Sequence, residues 1–403
     1  MLGLIHAEEE NPDKKINAAD EEIPPVKFDE AVGFLKSKVP MSKDDWNVLE
    51  PKLRFRAFTV AKLGSAEVVD KAKQVLINAL EAGGNYKTTW EELKKRVDTD
   101  SLKIKPNYWE TVFRTNTQSA YIAGKLQQYD KMNVAAYQLM VIEDVRTSRI
   151  CRNLLMSSGY GMILPVDHPF WKKYGFPPYH FNCRTSLRAV LPSQIGKYGN
   201  ISENPSMKSL TKFKPQEGFG GNPLDKESWW KMTKDMAFRA AEHGLWEEIE
   251  KQAKNNGLHN FSMDLVDGSD WRNLQGSKFS AEKAKLAEPL QKEVNLARIL
   301  TGNGHSWYFT PENHTEGIKN PDGIFDGEIA DMKILTSKDL DKIAERILQC
   351  EKQKAQVAVI HITDTSSYTQ KEAIKVAKEA LNKSLKFIKE VVLVYGDRIS
   401  YLK

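Results

Sequence analysis

The segment Asn320–Leu335 constrains this chain most, because it places three charged side chains on one predicted β-hairpin. Its Asp326-Gly327 pair favours a type I′ turn, in which both central residues need a positive φ. The predicted strand pairs are Phe325 with Glu328, Ile324 with Ile329, Gly323 with Ala330, and Asp322 with Asp331. Side chains alternate between faces, so Lys333 shares the face of Asp331. Facing carboxylates repel each other, and their oxygens suit Mg²⁺ or Mn²⁺, so the sequence predicts a metal site formed by Asp322 and Asp331.

The same residues resemble the PD-(D/E)xK nuclease signature. Pro321-Asp322 matches the first half of the signature, and Asp331-Met332-Lys333 matches the second half. The resemblance implies that Asp322 and Asp331 hold the metal and that Lys333 positions or activates the attacking water. It also implies a role for Glu293, which lies on a helical run just before the hairpin. The alternative is a surface hairpin with ordinary solvated acids, because turns are rich in Asp and Gly.

The pattern of elements around the hairpin predicts a helix, strands, a helix, a strand, a helix and a strand. This order indicates a mixed α/β sheet flanked by helices, as in a restriction-endonuclease-like core. From about Leu286 onward, the chain also resembles the tRNA-nuclease C-terminal toxin domain of contact-dependent inhibition (CdiA) proteins. The resemblance rests on the Glu-bearing helix, Gly-His before a strand, Pro-Glu, Asn-Pro-Asp, Asp-x-Lys and Gln353 or Gln356 before a buried strand. It implies a phosphodiesterase that cleaves RNA, with tRNA favoured over DNA, and an immunity protein as a partner.

The front half of the chain is predicted to be mainly helical. Apolar residues recur every three or four positions in 28–37, 44–61, 65–83, 88–97 and 108–132. A set of short motifs in order resembles the phage Mu F-like head morphogenesis domain: Phe58-Thr59-Val60-Ala61, Arg114-Thr115-Asn116, Glu143-Asp144-x-Arg146-Thr147, Cys151 and Pro178-x-His180-x-Asn182-Cys183-Arg184. The resemblance implies a minor head protein of the phage virion. Portal and capsid proteins would be its partners, and it would assemble in the bacterial cytoplasm.

Three residues of the front half are soft metal ligands, namely Cys151, His180 and Cys183. Structural zinc favours such sets, and Asp144 or His168 is a candidate for a fourth ligand. The alternative is a loop without metal, in which the two cysteines are small buried residues and the histidine forms hydrogen bonds. The sequence leaves both interpretations open.

The length of 403 residues predicts two or three domains. We expect a flexible leader at 1–27, a Mu F-like domain at 28–195, a connector with one helix at 196–280 and a nuclease domain at 281–403 that folds alone. The net charge of +5 permits contact with nucleic acid, and the three cysteines give no disulfide framework. The sequence shows neither a signal peptide nor a run long and apolar enough to span a membrane.

Three functions remain open at this stage. The first is a phage head protein that carries a metal-dependent nuclease at its C-terminal end. The second is a purely structural, portal-associated head protein whose rear domain keeps a nuclease fold without activity. The third is a DNA-cleaving enzyme for packaging or for the exclusion of rival phages. The metal site serves RNA and DNA equally, so the residues alone do not separate these substrates.

Overall fold

The computed structural model describes residues 28–49, 53–154, 162–198, 213–225, 234–255, 288–310, 319–383 and 385–403. The predicted leader at 1–27 therefore lies outside the described residues. In the front half, the described helices are α1 (Asp29–Ser37), α2 (Lys43–Val48), α3 (Ala66–Ala82), α4 (Tyr86–Arg96), α5 (Pro106–Asp130), α6 (Arg149–Arg152) and α7 (Pro169–Tyr174). The strands are β1 (Val39–Pro40), β2 (Ala57–Phe58), β3 (Ala136–Met140), β4 (Ile163–Pro165) and β5 (Ser186–Val190).

Local sequence signals account for most of these helices. The side chain of Ser65 accepts a hydrogen bond from Val68 N and begins α3, and Gly83 ends it with a φ of 74°. The helix predicted over 44–61 is wrong beyond its first turns. The chain leaves α2 at Leu49 in an extended conformation and later forms β2. Pro51 explains the error, because proline inside a helix removes a donor and clashes with the preceding turn.

The front half contains two layers of packing. The first core lies among α1, α3, α4 and α5, around the buried side chains of Phe34 and Trp109. The second lies beside a three-stranded antiparallel sheet in the order β4-β3-β5, where α7 contributes Phe170 and Trp171. The long helix α5 supplies residues to both cores, so it joins the helical layer to the small sheet.

The rear half contains a six-stranded mixed sheet. Its described helices are α8 (Lys234–Glu242), α9 (Trp246–Asn255), α10 (Glu288–Gly302), α11 (Asp341–Lys352) and α12 (Gln370–Leu381). Its strands are β6 (Trp307–Phe309), β7 (Gly323–Phe325), β8 (Glu328–Leu335), β9 (Val357–Ile362), β10 (Glu390–Tyr395) and β11 (Arg398–Leu402), in the spatial order β11-β10-β9-β8-β7-β6. Strands β8, β9 and β10 are parallel, and the others pair antiparallel. The predicted mixed sheet flanked by helices is confirmed, whereas the final strand β11 was missed.

The hairpin register is the predicted one. Phe325 pairs with Glu328, Ile324 with Ile329 and Gly323 with Ala330. The turn residues Asp326 and Gly327 have φ values of 46° and 89°, as a type I′ turn requires. Because this register is set by a two-residue turn, the positions of Asp322 and Asp331 follow from counting along the strands.

Both faces of the six-stranded sheet are covered. Helices α11 and α12 pack on one face, and α10 packs on the other together with α8 and α9. The connector was predicted to contain one helix, which is wrong for the described residues: Gly244, with a φ of 62°, separates α8 from α9. Trp246 of α9 contacts Tyr308 of β6 at a ring-centroid distance of 5.2 Å, so the connector shares a core with the sheet.

Among the described helices, none combines the length and the apolar character needed to cross a lipid bilayer.

Candidate functional site

The hairpin brings two carboxylates and one ammonium group together. Asp331 lies inside β8 with no exposed surface, and Asp322 lies directly before β7. A side-chain hydrogen bond links the two strands at this point: Met332 N donates to Asp322 Oδ2 at 2.7 Å. Thr310 N donates to the carbonyl of Asp322 at 3.0 Å, which fixes the backbone of the same residue from the strand on its other side.

Lys333 lies between the two acids. Its Nζ atom is 2.7 Å from Asp331 Oδ2 and 3.7 Å from Asp322 Oδ2, and it donates a hydrogen bond to the Met332 carbonyl at 2.8 Å. Burial lowers the pKa of Lys333, but the charges of Asp322 and Asp331 outweigh burial and leave the pKa raised. Lys333 therefore carries a positive charge at a fixed position beside both carboxylates.

The carboxylate of Asp331 has unused ligand capacity. Its Oδ2 faces the Lys333 ammonium at 2.7 Å, whereas its Oδ1 accepts no hydrogen bond from the described residues. A buried carboxylate oxygen without a donor is costly unless a cation coordinates it. The donor set of carboxylate oxygens fits Mg²⁺ or Mn²⁺, so the residues present fit such an ion.

Glu293 belongs to the electrostatic environment of this site. It lies on α10, and its charge acts on Asp322. Burial raises the pKa of Asp322 well above its usual range, Asp331 raises it further, Lys333 opposes the rise and Glu293 adds to it. However, the oxygens of Glu293, Asp322 and Asp331 do not all lie within 4.8 Å of one another. Two of the three acids thus lie at the hairpin, and Glu293 lies on the preceding helix α10.

Two glutamines hold the ends of the hairpin. Gln353 Oε1 accepts a hydrogen bond from Asn320 N at 3.0 Å, and Gln356 Oε1 accepts one from Ile329 N at 3.1 Å. The sequence singled out both residues without deciding between them, and the structure gives each a backbone contact. Cys350 was not singled out. Its buried thiol lies 3.6 Å from the Asp331 carbonyl and supports that segment of β8 from α11.

A second polar cluster lies at the hairpin, and the sequence did not predict it. His305 Nδ1 lies 2.7 Å from Asp326 Oδ2 at the turn, and its Nε2 contacts the hydroxyl of Tyr401 on β11. The missed strand β11 explains why Tyr401 was not considered. Since β6 and β11 are the two edges of the sheet, this contact shows that the sheet is curled at the end where His305 lies.

The soft ligands of the front half also come together. Cys151 Sγ lies 3.7 Å from Cys183 Sγ and 3.1 Å from His180 Nε2. These three form a compact cluster of potential metal ligands. The candidate fourth ligands, Asp144 and His168, are not part of this cluster. Arg184 donates two hydrogen bonds to Asp144, at 2.5 and 2.8 Å, and His168 Nδ1 accepts one from Phe170 N.

Comparisons with known proteins agree with the order of the two halves. Residues 70–188 match the family model described as Phage Mu protein F like protein, and residues 319–399 match that of the contact-dependent growth inhibition CdiA C-terminal domain. The chain is 27% identical over 162 residues to the Mu-like prophage FluMu F protein of Haemophilus influenzae. That match covers 36% of this chain and only 38% of the relative. The two family matches confirm that a Mu F-like segment is fused to a CdiA C-terminal segment.

A solved structure also resembles the chain. It is the CdiA-CT/CdiI toxin and immunity complex from Burkholderia pseudomallei, at 21% sequence identity. The match covers 32% of this chain and 93% of the other, with a TM-score of 0.25.

Proposed function

We propose that this chain, which joins a Mu F-like segment to a CdiA C-terminal segment, is a phage head protein that carries a metal-dependent nuclease. The observation that supports the proposal most directly is the buried Asp331 carboxylate, which shares the Lys333 ammonium, 2.7 Å away, with Asp322 and whose Oδ1 accepts no hydrogen bond from the described residues. Folding does not favour such an arrangement by itself, because a buried charge is costly unless it is fully paired. A bound cation at this position would remove that cost.

In the proposed reaction, Asp322 and Asp331 would hold Mg²⁺ or Mn²⁺. When bound, the ion supplies Lewis acidity that lowers the pKa of an attacking water and neutralises charge on the phosphodiester. Asp322 is positioned for this role by the hydrogen bond from Met332 N, which fixes one carboxylate oxygen. Asp331 is positioned by its place inside the central strand β8.

Lys333 serves as a fixed positive charge in this proposal. Its ammonium is held by Asp331 and by the Met332 carbonyl, and these contacts favour its protonated form. A protonated lysine stabilises the negative charge that develops on the phosphate, and it cannot take a proton from water. Glu293 would contribute through its negative charge, which acts on Asp322.

In this proposal the substrate is RNA, with tRNA favoured over DNA, as the resemblance of the rear segment to the tRNA-nuclease toxin domain of CdiA proteins implies. That match also motivates an immunity protein as a partner. The front segment motivates an association with portal and capsid proteins in the virion head, after assembly in the bacterial cytoplasm.

One experiment tests the proposed function and its two alternatives. The full-length protein would be incubated with total tRNA or with plasmid DNA, each with Mg²⁺, with Mn²⁺ and with EDTA. We expect cleavage of tRNA with Mg²⁺ or Mn²⁺ and none with EDTA. Cleavage of plasmid DNA alone would support a packaging or exclusion nuclease. A protein inert towards both substrates would support a structural head protein whose rear domain keeps the fold without activity.

A further inference from the structure

Cys151, His180 and Cys183 form a cluster that the proposed nuclease does not use. Cys151 lies on α6, and the other two residues lie on the loop that leads into β5. The two sulfur atoms are 3.7 Å apart, and both cysteines are buried. In a tetrahedral zinc site with Zn–S bonds of about 2.3 Å, two sulfur atoms lie roughly 3.8 Å apart. The observed spacing thus matches that of two thiolates bound to one zinc ion.

The imidazole of His180 is oriented as a ligand. Its Nδ1 atom lies 2.7 Å from the Phe181 carbonyl, which can only accept, so Nδ1 carries the hydrogen. Nε2 is therefore the ring nitrogen with the lone pair, and it lies 2.7 Å from Ser148 Oγ and 3.1 Å from Cys151 Sγ. Zinc-binding histidines generally donate their second ring nitrogen to a carbonyl or a carboxylate, and the contact with Phe181 reproduces this arrangement.

Neighbouring groups also support the cysteine sulfurs. Thr185 Oγ1 donates a hydrogen bond to Cys151 Sγ at 3.1 Å. Ser148 Oγ lies 2.7 Å from His180 Nε2 and accepts from Cys151 N at 3.1 Å, which fixes the start of α6 against the loop. The cluster is thus held by contacts outside the three ligands, as is common around metal sites.

We propose that Cys151, His180 and Cys183 bind one Zn²⁺ ion, with water at the fourth position. Two thiolates and one imidazole form a donor set that prefers zinc over Mg²⁺ or Mn²⁺. Ion binding requires the Nε2–Sγ contact to lengthen by about 0.4 Å, to the roughly 3.5 Å expected for two ligands of one zinc ion. The ion ties α6 to the loop before β5, next to the Arg184–Asp144 ion pair.

A disulfide is the main alternative for two cysteines this close. A disulfide bond needs a sulfur–sulfur distance of about 2.05 Å, well below the 3.7 Å observed. It would also leave His180 without a function in the cluster. The two possibilities predict different masses for the purified protein and a different number of free thiols.

The experiment measures metal content in the full-length protein. Wild-type protein and the Cys151→Ser, Cys183→Ser and Cys350→Ala variants would be purified under reducing conditions and analysed by inductively coupled plasma mass spectrometry. We expect one zinc per chain in the wild type and in Cys350→Ala, which removes the cysteine of the rear half. We expect loss of zinc in the other two variants. Wild-type protein that is stripped of metal and reconstituted with Co²⁺ should show a thiolate-to-cobalt charge-transfer band.

The Thr185→Val variant provides a test that keeps all three ligands. Removing the hydrogen bond to Cys151 Sγ should weaken zinc binding by about 10- to 100-fold in competition with a chromogenic chelator, as for other groups that support metal ligands. The proposal is overturned if wild-type protein contains no zinc and gives no cobalt band. It is also overturned if zinc persists in a Cys151→Ser, Cys183→Ser double variant, or if wild-type protein purified under reducing conditions still contains a Cys151–Cys183 disulfide and no metal. If a cysteine variant does not fold, Thr185→Val and the wild-type cobalt spectrum decide the question.

Discussion

Replacing Asp331 by asparagine tests the proposed nuclease site most directly. The substitution keeps the shape of a fully buried side chain and removes its charge. Lys333 retains an acidic neighbour, because Asp322 Oδ2 lies 3.7 Å from its Nζ atom. The variant therefore does not leave an isolated buried cation, and we expect it to fold. In the absence of metal it should be as stable as the wild type or more stable, since repulsion between two carboxylates is relieved.

The expected loss of activity follows from the role of Asp331. Removing one preorganised electrostatic group at a reacting centre costs on the order of a hundredfold in rate, which equals about 2.7 kcal/mol. Binding of substrate should change much less, because the metal acts mainly on the transition state. Initial rates with tRNA and Mg²⁺ would measure the first effect, and binding by the metal-free protein would measure the second.

Glu328→Gln is the matched control for this experiment. Glu328 begins the same strand, and the substitution removes the same charge from an exposed side chain whose ion pair with Lys389 is 3.7 Å long. At a metal concentration one hundred times the dissociation constant, bound metal stabilises the wild type by about 2.7 kcal/mol. This corresponds to a rise of roughly 5–10 °C in melting temperature. Glu328→Gln should keep both this rise and the activity. Equal activity and equal metal-induced stabilisation in the two variants would refute the assignment.

Three further predictions concern stability. Burial and neighbouring cations lower the pKa of Lys38 to about 7, below its unfolded value of about 10.4, so stability should rise as the pH increases between these values. Lys38→Met should reduce this increase in stability, as measured by the melting temperature at a series of pH values across that range. Residues 281–403 expressed alone should melt at a lower temperature than residues 234–403, because α8 and α9 cover one face of the sheet. Gly175 has a φ of 65°, and an added Cβ would lie 1.8 Å from a backbone carbonyl of the facing loop. Gly175→Ala should therefore lower the melting temperature by many degrees, whereas Gly64→Ala, with no atom within 4 Å of the added Cβ, should change it little.

The sequence determined the hairpin and its charged face. A two-residue turn allows only one register, so the positions of Asp322, Asp331 and Lys333 followed from counting along two strands. Helices with clear caps, such as α3 with Ser65 and Gly83, could also be predicted from the sequence, because capping signals are local. Local signals failed where a glycine at positive φ divided the predicted connector helix at Gly244.

Tertiary structure decided the features that depend on distant segments. No local pattern shows that His305 meets Tyr401, because the two residues lie at opposite edges of a curled sheet. Likewise, the spacing of Cys151 and Cys183 along the chain does not give the 3.7 Å between their sulfur atoms. Asp144 was a reasonable metal ligand from sequence, but Arg184 pairs with it in the folded chain. Short-range geometry is set by neighbouring residues, whereas burial and partner choice arise only when separate elements pack together.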